Sequence, residues 1–314
     1  MKHASFFTLF PPPRFLLMPH AGIDISDDAI AVVVYSYRAG KRYIVAYERV
    51  SLSPSEIEGG DIKDEVSITE KLKTLAKKYK ILYAKISIPE EKAYIFETRV
   101  GAGSMDIINH NIEFKIEENI PLSAQDTLFA FDILPGSTDE SVPVSVSAVP
   151  KTYIEHMMSI IRNAGIAPLS FETVPRSLAR LLPEDDTSNI LIVHAMNKKT
   201  GIYIVSGHAV RFTSTNSFGI ETGQEEYARH IAQDVERVCS FWSSKQENEQ
   251  SLSRLIVIGQ SAPDIASRLR SIIKDLVAIE TGDIWHEVLD TRAYVPPISH
   301  EESHAYGPAA GLAF

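Results

Sequence analysis

Cysteine is almost missing from this chain: Cys239 is the only one in 314 residues. One thiol cannot close an intrachain disulfide, so the fold must rest on its apolar cores, as suits a reducing cytoplasm. Long apolar runs are missing too, since no stretch approaches the roughly 20 residues that a helix needs to cross a bilayer. The run from Phe6 to Phe10 is cut by Pro11-Pro12-Pro13 and Arg14 and lacks a convincing cleavage site, which argues against a secretory leader. Positive charge is in deficit, with 31 Lys and Arg against 41 Asp and Glu, a net charge of -10. That balance argues against nucleic acid as a partner and against a broad face for an anionic membrane, while leaving room for local basic patches.

What is present is ordinary globular composition, 44% hydrophobic and 23% charged, in a chain long enough for two sizeable cores. Residues 21–35 give the organising pattern. Two runs rich in β-branched residues flank the polar corner Ser26-Asp27-Asp28, which reads as a hairpin. Val32-Val33-Val34 shows no alternation, so these strands should be buried on both faces. Asp24 places a carboxylate inside the first of them. A buried charge is costly unless it is paired or faces a metal or ligand. A satisfied structural Asp and a ligand-facing one both fit.

Residues 1–20 form an aromatic arm around three prolines, suited to packing on its own domain or docking on another subunit. After a third strand, entered through Arg38-Ala39-Gly40-Lys41, the spacing of Ile68, Leu72, Leu75, Ala76 and Tyr79 predicts a helix with a solvated lysine face. A strand ended by Pro89 follows. Residues 101–175 then read as helix, two strands, helix and strand. The first helix carries Met105, Ile108, Ile112 and Ile116 behind Ser104. The second opens on the capping box Thr152-x-x-Glu155 and ends at Asn163-Ala164-Gly165. Beyond a helix near 175–182 the opening pattern recurs: apolar strand 189–195, polar turn Met196-Asn197-Lys198-Lys199-Thr200, second strand 201–206. A repeated strand–turn–strand unit is an internal duplication. Gly219 to Gly223 opens a long helical pattern through Tyr227, Ile231, Val235, Val238 and Trp242. A strand then runs into Gly259-Gln260, and a small-residue helix closes the sequence after Tyr306.

Gly22-Ile23-Asp24-Ile25 with its polar turn resembles the first phosphate loop of the actin-like ATPase superfold. More narrowly, the order of elements resembles the PilM family of type IV pilus assembly proteins. The insert, with Ile120-Pro121, Asp126, Phe131, Asp132 and Asn163-Ala164-Gly165-Ile166, resembles the extra subdomain shared with the cell-division protein FtsA. The resemblance implies an α/β, actin-like (ribonuclease H-like) duplicated two-domain fold with an inserted small α+β subdomain. Residues 21–100 would form the first domain, closed by 305–314, and 101–175 the insert. Residues 176–304 would form the second domain, with a helical subdomain near 219–250. It further implies ATP near Asp24, Ser26, Gly219, Gly223 and Gly259, with Mg²⁺ facing Asp24; Lys198 and Lys199 read either as phosphate contacts or, more simply, as exposed turn lysines. The implied partner is the cytoplasmic tail of a PilN-like membrane protein, held near Phe129, Phe131, Tyr153 and Met157 by a cytoplasmic scaffold recruited to the membrane. A homo-oligomer stays open.

The sequence departs from the family at sensitive points. Asp27-Asp28 replaces small hydroxyl residues and would repel a triphosphate. Val193-His194 stands where an Asp positions metal and water, and Gly259-Gln260 replaces a glycine pair. Together these departures imply weak or degenerate nucleotide binding and no catalytic residues. The alternative is an active actin-like ATPase or a sugar-kinase-type phosphotransferase. A filament former of the FtsA type would carry a C-terminal amphipathic helix that this sequence lacks. His300-Glu301-Glu302-Ser303-His304 formally matches the zinc-protease motif H-E-x-x-H. Prolines on both sides leave hardly more than one helical turn, and no third ligand follows, so the motif is not read as a metal site.

Overall fold

The computed structural model describes residues 19–38, 41–183, 186–245, 251–273, 276–282, 289 and 294–314. Most of the expected arm (1–18), the connection at 39–40, and Trp285-His286-Glu287 lie outside them. The first half opens with the meander β1 (Ala21–Ile25), β2 (Ala29–Arg38) and β3 (Lys41–Ser51). The short pair β4 (Ile57–Glu58) and β5 (Asp61–Ile62) follows, then helix α1 (Glu65–Tyr79) and β6 (Tyr83–Ile88). Asp64 caps α1 by accepting from the Ser67 amide, and Lys80 ends it in a left-handed conformation, φ 55°.

The next stretch comprises β7 (Tyr94–Gly101), α2 (Met105–Asn119), β8 (Thr127–Ile133), β9 (Ser141–Pro150) and α3 (Lys151–Asn163). β10 (Ala167–Thr173) and α4 (Val174–Ala179) lead into the second half. There β11 (Asn189–Ala195), β12 (Thr200–Ser206) and β13 (Ala209–Asn216) repeat the meander, followed by α5 (Gln224–Lys245), β14 (Leu252–Gly259), α6 (Ala262–Ile272) and β15 (Ala278–Thr281). The single turn α7 (His300–Ser303) and the helix α8 (Gly307–Ala313) complete the fold.

The two large sheets follow one plan. Their strand orders are β10-β6-β1-β2-β3 and β13-β12-β11-β14-β15. β1 pairs antiparallel with β2 and parallel with β6, and β11 does the same with β12 and β14. β1 and β11 are buried throughout, as the missing alternation predicts. Between the sheets, Val33 and Tyr35 of β2 pack with Ile192, Tyr203 and Val205, with Leu178 of α4 and with Ala309 and Ala310 of α8. The approach of α8 to β1 is close enough to require glycine. A Cβ on Gly22 would stand 1.9 Å from the Ala309 carbonyl oxygen.

A separate three-stranded sheet, β7-β9-β8, carries α2 on one face, with Ile108, Ile112 and Ile116 packed against Val144, Val146 and Ala148. Three expectations need local correction. α3 begins at Lys151 behind Pro150 with no side-chain cap. Thr152 already lies in its first turn, so the expected capping box does not form. Ser104 occupies the N-cap of α2 without a side-chain hydrogen bond. Residues 220–222 make one 3-10 turn, and the long helix starts only at Gln224, after Gly223 turns the backbone with φ 103°. Among the described residues no helix is long and apolar enough to cross a membrane.

Candidate functional site

The two hairpin turns meet directly. The Asn197 amide of the β11–β12 turn donates to Asp28 Oδ2 of the β1–β2 turn at 3.2 Å. Gln260, oriented to satisfy both neighbours, donates to Asn197 Oδ1 at 2.6 Å and accepts from Arg49 Nη2 at 2.6 Å. The space left between the turns is about 30 Å³, lined among others by Asp24, Ser26, Asp28, Arg49, His194 and Gln260. That is about the share of one water molecule in the liquid. The glycines expected near a ligand serve this closure. A Cβ on Gly219 would stand 2.0 Å from the Asn197 carbonyl oxygen, and one on Gly259, at φ 106°, 2.1 Å from that of Ala195.

Behind the turns lies a buried charge cluster built across the interface. Glu90, in the 3-10 turn after β6, has a side chain only 4% exposed. It accepts from the Tyr203 hydroxyl. Lys199 Nζ lies 3.6 Å from Glu90 Oε2 and 2.6 Å from Glu91 Oε1. His194 Nδ1 lies 3.7 Å from Glu90 Oε1, within ion-pair reach and beyond hydrogen-bond length. Burial alone would raise the Glu90 carboxyl, but the His194 ring, the Lys199 ammonium and the Tyr203 hydroxyl outweigh it and bring the pKa to about 2. Burial works against the Lys199 ammonium as well, and the charges of Glu90 and Glu91 push its pKa up regardless.

Asp24 shares this interior on poorer terms. Burial raises its pKa, with the Ser87 hydroxyl and the charges of His194 and Lys199 pulling it back. Its Oδ1 has no hydrogen-bond partner. Ser26 is occupied within its own turn, its hydroxyl 3.2 Å from the Ala29 carbonyl. Asp27 turns away and accepts from the Gly59 and Gly60 amides at 3.1 and 2.9 Å. The structure therefore gathers Asp24, Ser26 and Gly259 at one cleft, with Gly219 packed beside it. Lys199 is neither an exposed turn lysine nor free to meet a phosphate. Lys198 is half-buried at the turn, and Gly223 serves to turn the chain into α5.

Glu90, Glu91, Tyr203, Ser87 and Arg49 were not legible as site residues. Glu90 and Lys199 are more than a hundred positions apart, and nothing in either neighbourhood announces the pairing. One signal existed. Gly201 interrupts an otherwise branched strand, and a Cβ there would stand 1.8 Å from Tyr203 Oη. Glycine leaves the room that lets the hydroxyl reach Glu90.

A second feature is open. A groove of about 410 Å³ runs between the β8–β9 face and the α3, β10 and α4 elements of the first half. Leu128, Phe129, Val149, Ile154 and Phe171 line its apolar part, and Glu172, Arg176 and Arg180 its charged end. Of the expected partner contacts, Phe129 lines it directly. Phe129 and Phe131 both pack against the insert's core, and Phe131 takes no part in the groove lining. Met157 is 1% exposed and faces the first half's core, so it cannot touch a partner. Tyr153 is half-buried, and α3 presents its neighbour Ile154 to the groove. The helix forms as the spacing predicts, and Ile154 is its residue in the groove lining. The H-E-x-x-H segment forms one turn in which Glu302 pairs with Ser299 in a capping box. His304 is 1% exposed, and no group of three metal-ligating side chains occurs among the described residues.

Two sheets of identical strand order, closing on each other through the first hairpin turn of each, define an actin-like fold. Solved structures share it. A chain of the "PilM-PilN type IV pilus biogenesis complex" aligns with a TM-score of 0.77 at 16% identity, covering 96% of this chain and 98% of that one. The cytoplasmic domain of EpsL, an inner-membrane component of the Vibrio cholerae type II secretion system, aligns at 0.50 and 12% identity, covering 76% and 81%. The ethanolamine utilization protein EutJ from Carboxydothermus hydrogenoformans aligns at 0.51 and 14%, covering 96% and 90%. No curated protein matches in sequence. The family model for type IV pilus assembly protein PilM matches residues 22–251, and the chain belongs to that family.

Proposed function

We propose that this protein is a cytoplasmic actin-fold scaffold of type IV pilus assembly that binds the cytoplasmic tail of a PilN-like inner-membrane protein in the groove beside β8. The open groove carries this reading. Its volume falls in the range of specific binding sites, and its lining is apolar with a few charged groups at one end. β8 is an edge strand of its sheet among the described residues, so an extended peptide can add to its backbone while its side chains enter the groove. The matched structure of a PilM–PilN complex supports a partner of this kind.

The same reading makes the nucleotide site degenerate. The space of about 30 Å³ between the turns is far below the several hundred of an ordinary ligand site, which supports this reading. Lys199 answers to Glu90 and Glu91.

A labelled peptide of the partner's cytoplasmic tail, titrated against the wild type and Leu128→Glu, tests the groove. Leu128 is 43% exposed, so the variant should fold normally. Affinity should drop at least tenfold, and equal affinity would refute the site. A fluorescent ATP analogue titrated with Mg²⁺ should give no saturable binding below the millimolar range. Tight binding with turnover would overturn the degenerate reading and favour the active ATPase.

A further inference from the structure

α1 and α3 run side by side in the same direction, with His156 Nε2 3.3 Å from Glu65 Oε2 near their starts. Near their ends they frame a shallow recess of about 460 Å³. Lys73, Lys77 and Lys80 line it with Ile81, Leu82 and Asn163, and no acidic residue does. Lys71, Lys73 and Lys78 are matched to Glu56, Glu70 and Glu48. Lys77 and Lys80 are exposed and have no ion pair among the described residues, and the same holds for Arg162, the neighbour of Asn163. Leu82 stands beside them 67% exposed. The carbonyl ends of both helices favour cations here, which accounts for the charge but not for the leucine.

We infer that this end of the first half is a contact face for an anionic phospholipid surface. Free cations around an exposed aliphatic side chain meet both layers of such a surface. The ammonium groups sit among the lipid phosphates, and the leucine reaches the acyl boundary. In a protein of net charge -10, attraction to an anionic surface has to come from a local patch of this sort. The adjoining sequence has the same character. Ala21 sits in register with Ala84, two positions from Leu82, so the chain enters the fold beside the recess. The eighteen residues before Pro19 contain Phe6, Phe7, Phe10 and Phe15 with Lys2 and Arg14, and no Asp or Glu.

The face is compatible with the groove. Ile154 and Asn163 are nine positions apart on α3, about 14 Å. A tail rooted in the same bilayer spans that with about five extended residues. The inference takes from the proposed function only that the partner is membrane-anchored, and its test needs no partner.

The test is co-sedimentation of the full-length chain with vesicles of phosphatidylcholine containing 30% phosphatidylglycerol, against pure phosphatidylcholine. The wild type should bind the anionic vesicles, lose binding at high salt and ignore the neutral ones. Each lysine near the surface contributes about fivefold, so Lys77→Gln with Lys80→Gln should weaken binding about 25-fold. Leu82→Ser should weaken it at low salt while leaving the slope of its salt dependence unchanged. Absence of binding to anionic vesicles at low salt, equal binding to neutral ones, or indifference to the double substitution would each overturn the inference. All three positions are exposed, so unchanged melting and unchanged tail-peptide affinity in these variants separate this result from failure of the groove.

Discussion

Replacing Lys199 by methionine removes the cation from the interdomain cluster while nearly keeping its length. Glu90, its side chain 4% exposed, would then be left with Tyr203 and His194. Breaking a buried pair from one side costs about 3–5 kcal/mol. Glu90 is brought from its ordinary 4.5 to about 2 by His194, Lys199 and Tyr203 together, so Lys199 carries part of a depression worth on the order of 3 kcal/mol of stability. A carboxylate depressed in this way contributes its full stabilisation above pH 4.5 and loses it as pH falls toward 2. The gap between wild type and Lys199→Met should therefore be widest near pH 7 and close between about pH 4.5 and 2, where a protonated Glu90 no longer needs a cation. Thermal and urea melts across that range measure it, with a drop in Tm at pH 7 of about 6–10 °C. The double variant Glu90→Gln/Lys199→Met should recover at least half the loss, because the two groups are coupled. A gap that stays constant from pH 7 to pH 3, or strictly additive losses, would refute this account of the cluster.

Three further substitutions probe the same interface by denaturant melting. Tyr203→Phe removes a donor from buried Glu90 and should cost about 1–3 kcal/mol, and a neutral effect would show the hydroxyl to be dispensable. Asp24→Asn should leave stability at pH 7 unchanged or raised and flatten its dependence on pH. Burial raises the Asp24 pKa, so the ionised form carries a penalty that is relieved as pH falls through the folded-state value, and a large loss would contradict this. Gly259→Ala forces a Cβ to 2.1 Å from the Ala195 carbonyl at φ 106° and should cost about 3 kcal/mol or more.

Much of the architecture was readable because it depends on local pattern. The unalternating valines of β2, the polar corner at Ser26–Asp28 and their echo at 189–206 were enough to announce a duplicated fold, and the strand orders of the two sheets bear it out. The insert was legible through the spacing of Ile108, Ile112 and Ile116, which form its core. What escaped depends on long-range placement. Thr152 and Glu155 spell a capping box, yet β9 runs on to Pro150 and the helix starts too early to use it. Asp27 and Asp28 read as two carboxylates that would repel a triphosphate, but one serves the Gly59-Gly60 corner and the other the opposite hairpin. Lys199 was visible as a residue of interest, while its partners Glu90 and Glu91 were not. Charge pairing across a hundred residues leaves no periodic trace.

The seating of α8 on β1 has a consequence for how the chain acquires its shape. Residues 22 and 309 lie in backbone contact, so the opening sheet has no cover on that face until residues 307–313 have left the ribosome. Ordering by synthesis favours the insert, whose own sheet and helix close on each other before β13 packs against them, while the N-terminal sheet waits with apolar strands exposed. Such a nascent chain invites chaperone attention, and clipping α8 should release the first half into an aggregation-prone form while the second half keeps most of its packing.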